Sequence, residues 1–247
     1  MKISVVINTY NAEKFLQKTL ESVKEFDEIV ICDMHSTDST IAIVQRYNAT
    51  IVYHENTGFV EPARNFAIQS ATHDWVLLLD ADETATEGLK NELRKQLQNI
   101  DFEALKIPRK NYFMGRFMRA EFPDLGIRFF RKDKIDWPKD IHSTPKIDGR
   151  IKKLAKDPKL AIEHLADDSL SDILKKMERY TEAELLRRKS KNYGYGKLIL
   201  SPFFRFFKCY FVKQGFRDGK EGFIFAMTKA HYKFYTLAKL IESSRKQ

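Results

Sequence analysis

The chain has 247 residues, 43% hydrophobic and 31% charged, enough for one domain with an extension and a sizeable core. No apolar run approaches the roughly 18 residues of a transmembrane helix, which excludes a bundle of membrane spans. Cys32 and Cys209 match no disulfide framework or zinc pattern, so we expect both to be reduced. The short apolar start lacks a cleavage site, and we expect the chain to stay in the cytoplasm.

The net charge of +9 is unevenly distributed. Residues 1–150 hold 21 Lys and Arg against 23 Asp and Glu, a net charge of −2. Residues 151–247 hold 22 against 11, a net charge of +11. Such asymmetry indicates a negatively charged partner for the last two-fifths, either nucleic acid or an anionic membrane surface.

The first hundred residues alternate short apolar runs with amphipathic segments. Asn11 could cap the first helix, and Pro62 stands where another could begin. Alternation of this kind predicts βαβ units and a parallel sheet covered on both faces. The predicted strands are Ile3–Ile7, Glu28–Cys32, Thr50–Tyr53 and Trp75–Leu79.

After a predicted helix at Thr86–Leu97 the pattern changes to short strands, and later to helices. A last helix is predicted from Gly222 to Glu242. The short strands are predicted at Ala104–Phe113, Ile127–Arg131 and Ile141–Ile147, and a charged helix at Ser169–Lys191.

Polar residues follow three of the predicted parallel strands. Asn8-Thr9-Tyr10 ends the first strand, Asp33 the second, and Asp80-Ala81-Asp82 the fourth. Ligands of such sheets bind beyond the carboxyl ends of the strands, so we expect a site at this edge. Acids after a buried strand favour a divalent cation, since Mg²⁺ takes one or two carboxylates plus substrate phosphates. Taken alone, the D-x-D pattern favours a loop of solvated acids at the start of the next helix.

Four motifs together resemble family 2 glycosyltransferases with the GT-A fold, in order and in spacing. They are Val6-Ile7-Asn8-Thr9-Tyr10-Asn11, Asp33-x-x-Ser36-Thr37-Asp38-x-Thr40, Ala63-Arg64-Asn65 and Leu79-Asp80-Ala81-Asp82-Glu83. Three further segments resemble the lipopolysaccharide-core glucosyltransferase branch of that family. These are Pro123-Asp124-x-x-x-Arg128-Phe129-Phe130-Arg131, Trp137 with Ile141-His142, and the tail Tyr210-Phe211-x-x-x-Gly215-Phe216-x-Asp218-Gly219-x-x-Gly222-Phe223.

The resemblance implies a role for individual residues. Thr9, Asp33 and Arg64 would contact the nucleoside, Asp80 the ribose, and Asp82 a Mg²⁺ or Mn²⁺ ion that bridges the two phosphates. Arg128, Arg131 or His142 would lie by the diphosphate, and one of the two arginines is expected to be structural. The substrate-binding residues implied in this way are Thr9, Tyr10, Asn11, Asp33, Arg64, Asp80, Arg128, Arg131 and His142.

Members of the family invert the anomeric carbon, which needs one general base for the acceptor hydroxyl. Asp124 is the first candidate by its place in the motif, and Glu83 and His142 are its rivals. Met34 and Ser143 depart from the usual pattern, which leaves the nucleotide contacts and a His-Glu pair open. The absence of Gln-x-x-Arg-Trp favours transfer of a single sugar over processive synthesis.

Residues 197–217 interleave aromatic and basic side chains. The segment could lie in a membrane interface, or it could pack into the core with a solvated basic edge. Nucleic-acid binding through base stacking is a weaker reading, and we expect no nucleic-acid partner.

The sequence therefore predicts an α/β protein with a GT-A, Rossmann-like mixed sheet at residues 1–150. Residues 151–247 would form a mostly helical, basic extension for an acceptor or a membrane. The resemblance implies an inverting, metal-dependent transfer of one sugar, by default glucose from UDP-glucose, to a lipid-linked or lipopolysaccharide-core glycan. The enzyme would work in the cytoplasm or at the inner face of the membrane. A non-catalytic sugar-nucleotide-binding module and a nucleotidyltransferase are the alternatives, although residues 8–14 lack the glycines of a phosphate loop.

Overall fold

A computed structural model of the chain describes residues 1–138, 144–165, 170–187 and 193–245. Its contacts divide the chain into two compact units. The first unit comprises Met1–Lys110 and Pro123–Leu165, and the second comprises Asn111–Phe122 and Ala166–Gln247. Each unit is therefore built from two separate stretches of the chain.

The strands and helices follow each other along the chain. The strands are β1 (Ile3–Thr9), β2 (Glu28–Asp33), β3 (Thr50–Tyr53), β4 (Trp75–Asp80), β5 (Glu83–Ala85), β6 (Ala104–Lys110), β7 (Tyr112–Phe113), β8 (Arg116–Phe117), β9 (Asp124–Arg131), β10 (Ile135–Asp136), β11 (Lys146–Ile147), β12 (Ile151–Lys153) and β13 (Ile162–His164). The helices are α1 (Glu13–Val23), α2 (Thr40–Val44), α3 (Glu61–Gln69), α4 (Glu87–Gln96), α5 (Leu170–Arg187), α6 (Tyr195–Phe207) and α7 (Gly219–Arg245).

The first unit is organised around a mixed sheet of nine strands in the part of the chain that the structure describes. The order is β3-β2-β1-β4-β9-β6-β13-β5, and β12 pairs with β6 outside this path. Strands β1 to β4 are parallel to one another, as predicted, whereas β9 runs antiparallel to both β4 and β6. The two strands that follow residue 150, β12 and β13, belong to this sheet.

Both faces of the parallel part of the sheet are covered. All seven residues of β1 are buried, because alternate side chains enter the two hydrophobic clusters. Val5 packs with Leu16 and Leu20 of α1 on one face. Val6 packs with Ala67 of α3 on the other. A run of apolar residues without alternation is therefore explained by helices on both sides.

Some predicted features at the ends of elements differ in the structure. Asn11 does not cap the first helix, because its backbone is left-handed at φ +48° and Ala12 is the N-cap. The last helix, α7, begins three residues earlier and ends three residues later than predicted. Of the strand predicted at Ile141–Ile147, the structure describes only β11, since residues 141–143 lie outside the described part.

The second unit consists of the β7–β8 hairpin and helices α5, α6 and α7. After α6 the chain continues as a π-helical segment, Lys208–Val212. Phe113 and Met118 of the Asn111–Phe122 stretch pack against Cys209, Phe225 and Ala226. None of the helices described is long and apolar enough to cross a membrane.

Candidate active site

A cavity of about 820 Å³ opens in the first unit at the carboxyl ends of β1 and β4. The strand register brings the polar strand ends together, since Asn8 pairs with Asp80 and Thr9 pairs with Asp33. The residues that line the cavity are Asn8, Tyr10, Asn11, Ala12, Lys14, Phe15, Met34, Asn56, Gly58, Phe59, Val60, Arg64, Asp80, Ala81, Asp82 and His164. The expected edge of the sheet thus carries a cavity large enough for a nucleotide-sized ligand.

Asp33 organises the loop on one side of this cavity. One carboxylate oxygen accepts hydrogen bonds from the Thr9 hydroxyl (2.8 Å) and from the Ser36 hydroxyl (2.6 Å). The other accepts from the Ser36 backbone N–H at 2.8 Å. Asp33 has no exposed surface and Thr9 has 1%, so both lie behind the cavity wall. Their role in this structure is to hold the loop that follows β2.

Tyr10 and Asn11 are exposed at the cavity, on the segment between β1 and α1. The Asn11 side-chain oxygen accepts from the Thr37 backbone N–H at 2.8 Å, and the Asn11 backbone N–H donates to the Ser36 hydroxyl at 2.9 Å. Asparagine tolerates the left-handed backbone that this pair of bonds requires. Asn11 therefore joins the loops that follow β1 and β2.

Asp80 lies between two arginines at the end of β4. Arg64 of α3 donates to one carboxylate oxygen at 3.0 Å, and Arg128 of β9 donates to the other at 2.9 Å. Burial alone would raise the pKa of Asp80, but the two guanidinium groups outweigh it and hold the pKa well below its usual range. Asp80 is therefore a fixed anion at the cavity wall.

Glu83 shares the same arginine cluster without reaching solvent. Its side chain has no exposed surface, and one oxygen accepts from both Arg128 and Arg109 at 3.0 Å. The other oxygen accepts from the Asp80 backbone N–H at 3.0 Å. Glu83 thus fixes the end of β4 and aligns two arginines.

Arg109 of β6 carries this network to Asp124. It donates from two nitrogens to one Asp124 oxygen, at 2.7 and 3.0 Å, across the β6–β9 pair. Burial alone would lower the pKa of Arg109, but the carboxylates of Glu83 and Asp124 have the larger effect and raise the pKa above its usual value. Asp124 is 43% exposed and held by this arginine. Arg109 was not predicted as a site residue, because only the antiparallel register places it opposite Asp124.

Asp82 and His164 face each other at the cavity. The imidazole Nε2 of His164 lies 3.2 Å from a carboxylate oxygen of Asp82. The His164 side chain is 26% exposed and the Asp82 side chain is 34% exposed. No group of three acidic, histidine or cysteine side chains fit for a metal occurs among the described residues. A carboxylate with an imidazole suits Mn²⁺, and suits Mg²⁺ less well, when substrate phosphates supply the other ligands.

His164 was not predicted as a site residue. It stands at the end of β13, which pairs antiparallel with β5 so that His164 lies opposite Glu83. The run Ile162-Glu163-His164 is too short to signal a strand, and it lies in the part predicted to be a helical extension. A polar residue that ends a short strand was the only signal in the sequence.

Arg64 offers further donors at the cavity wall. Its guanidinium carbon lies 4.6 Å from the centre of the Trp137 ring. Its Nε and Nη1 atoms are buried without a hydrogen-bond partner among the described residues. Buried donors of this kind are costly unless a ligand or water supplies the acceptor. This favours an anionic or oxygen-rich ligand beside Arg64.

Arg131, one of the predicted substrate contacts, lies away from the cavity. Arg131 pairs in register with Trp75, at the start of β4, and binds Asp133 at 2.9 Å on the surface. Because β9 runs antiparallel to β4, its last residue lies at the edge of the sheet opposite Asp80. Arg131 is thus the structural member of the arginine pair, and Arg128 is the member at the site. His142 lies outside the described residues.

Comparison with known proteins agrees with this geometry. Residues 4–157 match the model of "Glycosyl transferase family 2". The chain is 29% identical to the lipopolysaccharide core biosynthesis glycosyltransferase LpsC of Rhizobium meliloti, over 98% of this chain and 93% of LpsC. It is also 29% identical to an uncharacterized glycosyltransferase of Rickettsia conorii, over 99% and 92%.

A solved structure shows the same fold. Residues 1–349 of TarS from S. aureus, crystallised with UDP, align with a TM-score of 0.50 and 19% identity over 100% of this chain and 92% of that chain. The predicted mixed sheet flanked by helices and the predicted family are both confirmed. The chain therefore belongs to glycosyl transferase family 2, and it is a glycosyltransferase with the GT-A fold.

Proposed function

We propose that the enzyme transfers one sugar from a nucleoside diphosphate sugar, with inversion, to a lipopolysaccharide-core or other lipid-linked glycan. UDP-glucose is the first candidate donor. The observation that carries the proposal is the pairing of Asp82 with His164 beside Asp80 and Arg64 in one cavity. This arrangement combines a cation site with buried donors, as a diphosphate requires.

The nucleoside would occupy the part of the cavity between Tyr10, Asn11 and Met34. Asp33 and Thr9 support this part from behind the wall. Asp80, which is 31% exposed, would meet the ribose. The crystallisation of TarS with UDP supports a uridine nucleotide as donor, and LpsC supports a lipopolysaccharide-core acceptor.

Asp82 and His164 would hold Mn²⁺ or Mg²⁺ against the diphosphate. When bound, the cation would neutralise the charge that develops on the departing nucleoside diphosphate. Arg64 would add donors from the cavity wall. The Asp82 carboxylate and an imidazole nitrogen of His164 are the groups of this chain that would orient the cation.

Asp124 would act as the general base. It would accept the proton of the acceptor hydroxyl while that oxygen bonds to the anomeric carbon and the bond to the phosphate oxygen breaks, with its electrons leaving on the diphosphate. Arg109 would position Asp124, and buried Glu83 would position Arg109. Having no exposed surface, Glu83 is better suited to positioning than to contact with an acceptor.

Donor binding provides the first test of this proposal. A panel of UDP- and other nucleotide sugars is titrated into the purified full chain by calorimetry, with and without Mn²⁺. We expect one donor to bind more tightly with Mn²⁺, by about tenfold or more. Asp82→Asn and His164→Gln should abolish the Mn²⁺ effect, while Asp133→Asn, on the exposed pair with Arg131, should retain it. Failure of every nucleotide sugar to bind would contradict the proposal.

Turnover separates catalysis from binding. Release of UDP is followed with detergent-dispersed lipopolysaccharide truncated in its core. Asp124→Asn should bind donor with unchanged affinity and lose at least about 100-fold in kcat, in the range of a general base. Donor binding without turnover on any glycan acceptor, in the unaltered chain, would favour a non-catalytic binding module.

A further inference from the structure

Helix α6 and its π-helical continuation carry an exposed apolar stripe, named here the α6 face. Six large apolar side chains form it, each between 45% and 66% exposed. At 100° per residue the five on α6 fall within an arc of roughly 140° on one side of the helix, and Phe211 follows on the π-helical segment. The α6 face consists of Ile199, Leu200, Phe203, Phe204, Phe207 and Phe211.

The α6 face is the side of the helix that the core of the second unit does not use. The adjoining side of the helix supplies Phe206, Cys209 and Tyr210, which pack against Phe225 and its neighbours on α7. The helix is therefore already fixed in its own unit by one apolar side. A second, fully apolar side exposed to water is unfavourable in a monomeric soluble protein and marks an interaction surface.

Along the sequence, the charged residues of the α6 segment are all basic; in the structure, Glu121 lines a small pocket with Arg205, Lys208 and Lys213. Residues 185–217 contain nine Lys and Arg and no Asp or Glu. Lys197, Arg205 and Lys208 are exposed on α6 and the turn after it, next to the apolar stripe. Arg205, Lys208 and Lys213 form no ion pair within the described residues. The partner must therefore combine apolar depth with negative charge.

We propose that the α6 face docks in the plane of an anionic lipid membrane. Its aromatic and aliphatic side chains would enter the boundary between headgroups and acyl chains, where amphipathic helices lie. Lysines and arginines at the rim would reach the phosphate headgroups with their charged ends. This docking does not depend on the donor or acceptor proposed above.

Two other occupants fit the surface less well. A second copy of the chain would bring two acid-free basic segments together, and like charges at an interface oppose association. A nucleic acid would use aromatic side chains for stacking, but Ile199, Leu200 and Val212, at 53–66% exposed, offer no ring to a base. A lipid bilayer accommodates aliphatic and aromatic side chains alike and needs no groove.

Vesicle flotation with the purified full chain tests this proposal. We compare two kinds of vesicle. One is phosphatidylcholine with about 30% of the anionic lipid phosphatidylglycerol, and the other is pure phosphatidylcholine. We expect binding to the anionic vesicles that falls steeply with added salt. Phe203→Ser with Phe204→Ser should weaken it at least about tenfold, and Lys208→Glu with Lys213→Glu should weaken it by a similar factor.

Matched controls come from the first unit. Tyr53→Ser with Ile151→Ser removes side chains that are 52% and 40% exposed, and Lys153→Glu with Lys156→Glu reverses two exposed bases. Both controls should float with anionic vesicles as the unaltered chain does. Equal binding by the α6 variants and the controls would overturn the proposal. So would light scattering that shows a stable dimer dissolved by the Phe203 and Phe204 changes.

Discussion

At the scale of single residues, the site is a row of side chains with alternating charges. Each guanidinium nitrogen lies 3.0 Å or less from the carboxylate oxygen that it pairs with. The row runs in the order Arg64, Asp80, Arg128, Glu83, Arg109 and Asp124. Removing one member leaves a partly buried charge without its partner, which costs more than a surface pair does. The geometry of the site is therefore sensitive to the ionisation of Asp80.

Asp80→Asn should reveal this dependence in its pH profile. The folded pKa of Asp80 is depressed, so its ion pairs stabilise the fold above the ordinary Asp pKa of about 3.9. The contribution is lost as the pH falls below that value. We expect the variant to be less stable by about 1–2 kcal/mol at pH 6–8, with the difference narrowing below about pH 4.

Urea unfolding at a series of pH values measures this difference. Asp133→Asn, which removes the exposed partner of Arg131, should change the free energy of unfolding by less than about 0.5 kcal/mol throughout. If the free energy of unfolding of Asp80→Asn differed from that of the unaltered chain by the same amount down to about pH 3, the depressed pKa of Asp80 would be contradicted.

At the scale of elements, the sequence predicts those parts that depend on local pattern. The four parallel strands were found because buried apolar runs alternate with helices, and Asp80 and Asp82 follow from the strand end. Arg109 and His164 were not found, because their positions depend on which strands pair and in which direction. Arg131 was misplaced for the same reason. Register is a long-range property that a single sequence does not display.

The glycines near the start of α7 show how packing explains a motif. A Cβ at Gly222 would overlap the carbonyl oxygen of Gly215, so the two backbones meet only without a side chain. Between them, Asp218 is fully buried and accepts a hydrogen bond from the Ala120 N–H at 3.1 Å. This segment therefore fastens α7 to the hairpin of its own unit.

Two glycine substitutions should act in opposite directions. Gly222→Ala should lower the free energy of unfolding by about 1–3 kcal/mol through overpacking. Gly196→Ala, on α6, meets no atom within 4 Å and should raise it by about 0.5–1 kcal/mol. Thermal unfolding of both variants compares them. Equal effects would mean that Gly222 is not in tight contact.

At the scale of the molecule, one of the two stretches that form the second unit interrupts the sequence of the first unit. The chain leaves after β6, forms the hairpin stretch Asn111–Phe122, and returns for β9. The expected boundary near residue 150 describes a terminal extension, whereas this unit has a part in the middle of the chain. Its hairpin supplies Phe113 and Met118, at 2% and 0% exposed, to a core completed by α7.

A chain cut after Leu165 should therefore aggregate, because Phe113 and Met118 lose their partners. Replacing Asn111–Phe122 by Asn-Gly should restore solubility to the shortened chain, because Arg109 and Asp124 already pair across β6 and β9 and a two-residue turn can then join Lys110 to Pro123. Light scattering on heating compares the two shortened chains. If the simple cut were as soluble as the version with the turn, the hairpin would not need the helices.

The inserted hairpin also has a consequence for synthesis. The ribosome delivers Phe113 and Met118 first, and about 100 residues separate the hairpin from Phe225, which covers them. At roughly 5–20 residues per second, the hairpin waits about 5–20 s with its apolar side chains in water. The first unit can fold during that interval, so the nascent chain passes through a stage with a finished sheet and an uncovered hairpin. A chaperone that binds apolar segments would act on this protein at that stage of translation.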